Sequence, residues 1–238
     1  MNLSKSFNMR GTEEAFEEML NLAINKDHPS PFQYLEIGCA TGNTLLAVAD
    51  HLNEELNLHR AWRVTGIDLV NGSFFNANQF LLNSGNHFVG IRYFGDKHIQ
   101  PIIGLEALND IDIILKRNLE RITPEPESVD FALIDGCHGK PCVIADFCSI
   151  EASIKHGGIV AFHDAGFEDQ GTHHQSHCEM PISVISALTE LGMPGPGRCG
   201  AAEYRAKDWK LIKHIEGDKS PGNAEQNGHG FAFFQKKQ

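Results

Sequence analysis

The stretch Glu36-Ile37-Gly38-Cys39-Ala40-Thr41-Gly42-Asn43 constrains this chain more than any other, because of what flanks it. Before it, Phe32-Gln33-Tyr34-Leu35-Glu36-Ile37 is short and largely apolar and reads as a strand. After it, over residues 44–55, Leu45, Leu46, Val48, Ala49 and Leu52 recur at helical spacing. Trp62-Arg63-Val64-Thr65-Gly66-Ile67-Asp68-Leu69 follows as a second strand. Strand, glycine turn, helix and strand in that order form a unit whose two strands pair in parallel through a right-handed crossover. Gly38 and Gly42 let the backbone turn sharply and approach a ligand without a Cβ in the way.

The remaining chain extends this pattern. Residues 12–25 predict a helix with Phe16, Met19, Leu20 and Ala23 inward and Glu13, Glu14, Glu17 and Glu18 outward, a helical cap within residues 1–30. Residues 74–82 have helical character, whereas 87–94 and 99–104 both look strand-like, and either can be the third parallel strand. Ile111, Ile114, Leu115 and Leu119 stand at helical spacing and predict a helix over 108–122. Strands over 129–135 and 158–164 end in Asp135 and in His163-Asp164, with a helix over 141–153 between them. A helix over 181–191 and two closing strands, 209–215 and 230–235, complete the chain, with a polar loop at 218–228. The expected fold is α/β: one domain over 1–238 with a Rossmann-like, doubly wound sheet, mainly parallel, ending in an antiparallel strand pair.

Composition narrows the partners. Thirty-one acids against 20 bases give a net charge of −11, a field that repels phosphate backbones and anionic lipid. No apolar run approaches the ~18 residues of a membrane span. Nucleic acid and membrane are therefore not expected partners; a small-molecule substrate is, and monomer and homodimer both stay open. The six cysteines form no Cys-x-x-Cys pair and read as reduced thiols. With an N-terminal stretch lacking the apolar segment of a secretory signal, a cytoplasmic location is expected.

Ligands of open α/β sheets bind outside the carboxyl ends of the strands, where strand order reverses. Glu36, just ahead of the glycine turn, suits a cationic amino or sulfonium group, and Asp68, at the end of the second strand, can accept from two ribose hydroxyls. The turn is not the Gly-x-Gly-x-x-Gly of a pyrophosphate cradle, and an acid beside a pyrophosphate is electrostatically unwelcome. A nucleoside without phosphates is the better match.

On these residues the chain resembles the class I S-adenosylmethionine-dependent methyltransferases. "YLEIGCATGNT" is similar to their first motif and "VTGIDL" to the acidic end of their second strand. The resemblance implies that Glu36, Gly38, Ala40 and Gly42 line the cofactor, that Asp68 binds its ribose, and that Asp135 borders the same site. "VDFALIDGCHGKPCVIADF" and "HGGIVAFHDA" resemble small-molecule O-methyltransferases that carry an Ile-Asp-Gly-x-His strand end and often depend on a metal.

Asp135, His163 and Asp164 end neighbouring strands and form a mixed oxygen and nitrogen set suited to a divalent ion such as Mg or Mn. In relatives such an ion holds the acceptor hydroxyl. Two positions depart from that pattern: His163 stands where many relatives have a carboxylate, and Cys137 replaces a second acid. Softer metals, or none, therefore stay open. Without a metal, His138 is the candidate general base, acting beside Asp135, since an ordinary imidazole titrates near ~6.5. A nicotinamide oxidoreductase and a cofactor-binding protein without activity are the rival readings. Residues 165–180, holding His173, His174 and His177, read as a loop over the active site.

Overall fold

The computed structural model describes residues 12–25, 28–56, 59–69, 76–85, 87–93, 110–116, 124–165, 182–193, 206–215 and 230–238. In chain order the elements are α1 (Glu13–Ala23), β1 (Phe32–Ile37), α2 (Asn43–Leu56), β2 (Trp62–Leu69), α3 (Ala77–Asn83), β3 (Phe88–Tyr93), β4 (Asp110–Lys116) and β5 (Val129–Ile134). They continue with α4 (Lys140–Ile150), a 3-10 turn (Glu151–Ser153), β6 (Ile154–His163), α5 (Ile182–Glu190), β7 (Trp209–Ile215) and β8 (Phe231–Lys236).

The eight strands form one sheet in the order β3-β4-β2-β1-β5-β6-β8-β7. All neighbours pair in parallel except β8, which runs antiparallel to both β6 and β7. The expected Rossmann-like sheet with its closing pair is thus present. Two cores cover its faces. Phe16 and Leu20 of α1, Leu45 and Leu52 of α2 and Phe80 of α3 pack on one. Val143 and Phe147 of α4 with Val184 and Leu188 of α5 pack on the other. Strands buried on both sides read as continuous apolar runs, and β1 is buried at all six positions.

That property explains the one clear misreading. The helix expected over 108–122 is instead strand β4, Asp110–Lys116, inserted between β3 and β2. Ile111, Ile113 and Leu115 enter one core and Ile114 the other, so residues spaced for a helix face also fit a two-sided strand. The density of isoleucine in Asp-Ile-Asp-Ile-Ile-Leu-Lys is the signal that favours the strand. Of the two candidate third strands, 88–93 forms the sheet edge as β3, and 99–104 lies outside the described residues, as do 108–109, 117–122 and the polar loop 218–228.

At the amino ends of β1, β5 and β6 sits a buried ionic clasp. Asp130 accepts from Arg60 Nη2 at 3.1 Å, from Lys155 Nζ at 2.7 Å and from the Gln33 amide at 2.9 Å. Arg60 also donates to the carbonyls of Ser30, Asn25 and Pro31. Among the described residues no helix is long and apolar enough to cross a membrane.

Candidate active site

Strand order reverses between β1 and β5, and the two strands touch there. The Asp135 amide donates to the Ile37 carbonyl at 2.8 Å, while on the other side the Gly38 amide donates to the Ile67 carbonyl of β2 at 2.9 Å. Gly38 has φ +91° and no room for a side chain: a Cβ there meets the Asp135 carbonyl oxygen at 2.2 Å. Gly42, at φ +73°, leaves the space that the Phe80 ring of α3 fills. Between them Ala40 also adopts a left-handed backbone, φ +46°.

Asp68 pins this turn. Its Oδ2 accepts from the amides of Cys39 at 2.9 Å and Ala40 at 3.0 Å, and its Oδ1 from that of Leu69 at 2.6 Å. Sequence reading placed Asp68 at the right rim but missed that it also shapes the loop. Three of the roughly four lone-pair directions of the carboxylate are used by backbone, which leaves one where the sequence suggested two ribose hydroxyls.

Glu36 is buried, and Tyr34 Oη donates to its Oε2 at 3.0 Å. Alternation on a strand puts residues 34 and 36 on one face, a pairing the sequence could have disclosed. Burial, then the nearby Asp135 and Asp68 carboxylates, push the Glu36 carboxyl well above its ordinary value. Burial and Glu36 likewise raise the Tyr34 phenol and the Cys39 thiol, so both stay protonated at neutral pH.

The carboxyl ends of β5 and β6 bring together Asp135, His163 and Asp164, as expected, and add His138 to them. The four donor atoms close a ring. His163 Nδ1 lies 2.7 Å from Asp135 Oδ1 and 3.2 Å from Asp164 Oδ2; His138 Nε2 lies 2.8 Å from Asp164 Oδ2 and 3.2 Å from Asp135 Oδ1. Asp164 takes a left-handed backbone, φ +55°, which Asp tolerates better than most residues and which aims its carboxylate inward. Burial opposes charge on His138, but the hydrogen bonds and charges of Asp135 and Asp164 outweigh it and push the imidazole up to about 10. For His163 burial is outweighed in the same way, and its pKa lies well above the ordinary value. Asp135 is held low: burial raises it, yet His163 and His138 prevail. With its pKa raised to about 10, His138 favours its protonated form at neutral pH, which works against the general-base role expected from an ordinary imidazole. The same two nitrogens and two oxygens also fit a divalent cation, since all four lie within 4.8 Å of one another.

Cys137 is exposed, and the loop expected over 165–180 lies outside the described residues apart from Ala165. Nearby in α4, burial raises the Asp146 carboxyl to about 6, although Lys116 Nζ at 3.9 Å pulls it down. The native state therefore binds more protons than the unfolded chain between the ordinary value of 3.8 and about 6, and stability falls as pH rises through that window. Asp146→Asn is expected to gain about 1–3 kcal/mol at pH 8, at ~1.4 kcal/mol per pKa unit, and nothing below pH 4. Thermal denaturation across that range checks it; a constant offset between the two proteins refutes it.

Three comparisons bear on this geometry. The N-methyltransferase NodS from Bradyrhizobium japonicum is similar in structure, with TM-score 0.51 and 13% identity, over 94% of this chain and 96% of that one. The O-methyltransferase NovP is similar with TM-score 0.51 and 13% identity, over 94% and 79%. A putative class I S-adenosylmethionine-dependent methyltransferase from Listeria monocytogenes is similar with TM-score 0.50 and 14% identity, over 98% and 62%. At such identities the likeness is one of fold. No curated protein matches the sequence. The family model described as a methyltransferase domain matches residues 35–165, from within β1 to just past β6, and so takes in the glycine turn, Asp68 and the whole Asp-His ring. More than half of its length thus places this chain in the methyltransferase-domain family.

Proposed function

We propose that the protein transfers a methyl group from S-adenosylmethionine to a hydroxyl oxygen of a small molecule, with a divalent ion held by Asp135, His163 and Asp164. One observation carries the reading: Asp135 belongs both to the carboxylate-lined glycine turn and to the Asp-His ring, so donor and acceptor sites share a wall. Glu36, Asp68 and Asp135 around the turn complement a ligand that carries sulfonium and ammonium charge and no phosphate. Such a ligand supplies an electrophilic methyl group; the ion supplies a lowered pKa for the acceptor hydroxyl.

The residues do the rest by placement. Gly38 and Gly42 bring the backbone close, Ala40 holds the turn open between them, and Asp68 offers its remaining lone pair to a ribose hydroxyl. Glu36 receives the cationic end, whose charge favours the ionised form that burial disfavours. Asp135 aligns the two sites, which methyl transfer needs more than covalent help from the enzyme. The net charge of −11 favours a neutral or cationic acceptor over an anionic one.

Calorimetric titration with S-adenosylmethionine, and separately with NAD, tests the donor assignment. Binding of the first alone is expected. Asp68→Ala should weaken it about 10- to 100-fold, the loss of a hydrogen bond to a charged group at ~1.5–3 kcal/mol. Binding of NAD in preference, or an unchanged affinity in Asp68→Ala, overturns the assignment. Donor binding with no methylated product in any small-molecule pool, read by mass spectrometry, returns the reading to a cofactor-binding protein without activity.

A further inference from the structure

We infer that the Asp-His ring is a four-donor belt for a late first-row divalent ion (Fe, Co, Ni or Zn) rather than for Mg, and that His138 is its fourth ligand. The inference rests on the metal part of the function proposed above. Around the ring oxygen and nitrogen alternate: Asp135 Oδ1, His163 Nδ1, Asp164 Oδ2, His138 Nε2, with successive separations of 2.7, 3.2, 2.8 and 3.2 Å. All four atoms lie within 4.8 Å of one another, close enough for a single ion to reach each of them with bonds of the ~2.0–2.2 Å that late first-row ions make to nitrogen and oxygen. Like donors stand opposite each other, nitrogen across from nitrogen and oxygen across from oxygen.

Magnesium prefers an octahedron of oxygens and keeps several waters, so a belt half made of imidazole suits it poorly. Imidazole favours the later ions, whose affinities for nitrogen donors rise along the row. The belt is also supported unevenly. His163 and Asp164 are 5% and 1% exposed and fixed at the end of β6, with the Phe231 ring 5.0 Å from the His163 ring. His138 and Asp135 are less buried and sit before α4, so the ring is more open to solvent on their side than on that of His163 and Asp164. An ion held this way keeps positions for an acceptor oxygen, and His138 contributes a ligand rather than a base.

The test is a titration of chelator-stripped full-length protein with Co2+, read by its visible ligand-field bands, and with Mg2+ by competition. One equivalent of Co2+ is expected to bind, on the order of 100-fold more tightly than Mg2+. His138→Asn is expected to weaken Co2+ about 10-fold or more and to shift the bands, while changing Mg2+ affinity far less. Comparable Co2+ and Mg2+ affinities in the unaltered protein, a comparison that needs no variant, overturn the inference. So does an unaltered Co2+ spectrum in His138→Asn. Either result leaves a metal-assisted methyltransferase standing. No binding of any divalent ion removes the metal itself, and the independent titration with S-adenosylmethionine then decides whether the donor assignment survives.

Discussion

Gly38→Ala is expected to lose about 3 kcal/mol of stability and, with it, measurable affinity for the methyl donor. Two costs add at this position. A left-handed backbone disfavours any residue with a Cβ by about 1–2 kcal/mol. Forcing atoms into a packed site costs about 1–3 kcal/mol more. Here the obstacle is not a side chain that can swing aside, because the added carbon lies 2.2 Å from the Asp135 carbonyl oxygen and 2.6 Å from Gly136 Cα. Relief requires β1 and β5 to part where donor and acceptor sites meet. Gly85→Ala supplies the control: its φ is also left-handed, +59°, but nothing lies within 4 Å of the new carbon. The control should lose only the backbone cost and keep full donor affinity. Urea denaturation of both variants measures the difference, and equal losses would mean that the close approach of the two strands carries no weight.

Asp130→Ala is expected to cost about 3–5 kcal/mol, the range for breaking one side of a buried ion pair. Asp130 pairs with Arg60, whose side chain is 1% exposed, and with Lys155, whose side chain is 18% exposed, and it accepts from the Gln33 amide at the start of β1. Without it a guanidinium stays buried with carbonyls for partners but no counter-ion. Because the clasp lies at the amino ends of the strands, folded variant protein should bind the methyl donor as the parent does. A midpoint shift in urea together with an unchanged donor affinity is the expected pair of results. A loss under about 1 kcal/mol would show that solvent reaches Arg60 and compensates it.

The two ends of the sheet also show what a sequence discloses. The placement of the glycine turn, Asp68 and the strand-end residues Asp135, His163 and Asp164 was legible because each stands at the carboxyl end of a parallel strand, where this topology puts ligands. Boundaries of β1, β2 and β7 were legible as well, since turn residues bracket them. The Asp130 clasp was not, because Arg60, Asp130 and Lys155 are far apart in sequence and none stands in a motif. Strand β4 was hidden because its apolar residues fall at spacings that fit a helix face as well as a strand buried on both sides. His138 was seen as a base because its ordinary pKa invites that role. Only the approach of two carboxylates from different strand ends, a tertiary event, raises its pKa and draws it into the ring.

The central pairing of the sheet has a further consequence, for how the molecule is made. β1 finds its second neighbour only in β5, and the Gln33 amide meets the Asp130 carboxylate across 97 residues of chain. During synthesis the glycine turn emerges early and waits, with one wall of its crevice missing, until Val129–Ile134 has been translated. Long-range parallel pairing of this kind forms slowly and leaves apolar strand faces uncovered meanwhile. A ligand that grips both walls has nothing to hold until β5 is in place, and so stabilises only the chain in which the two strands are paired.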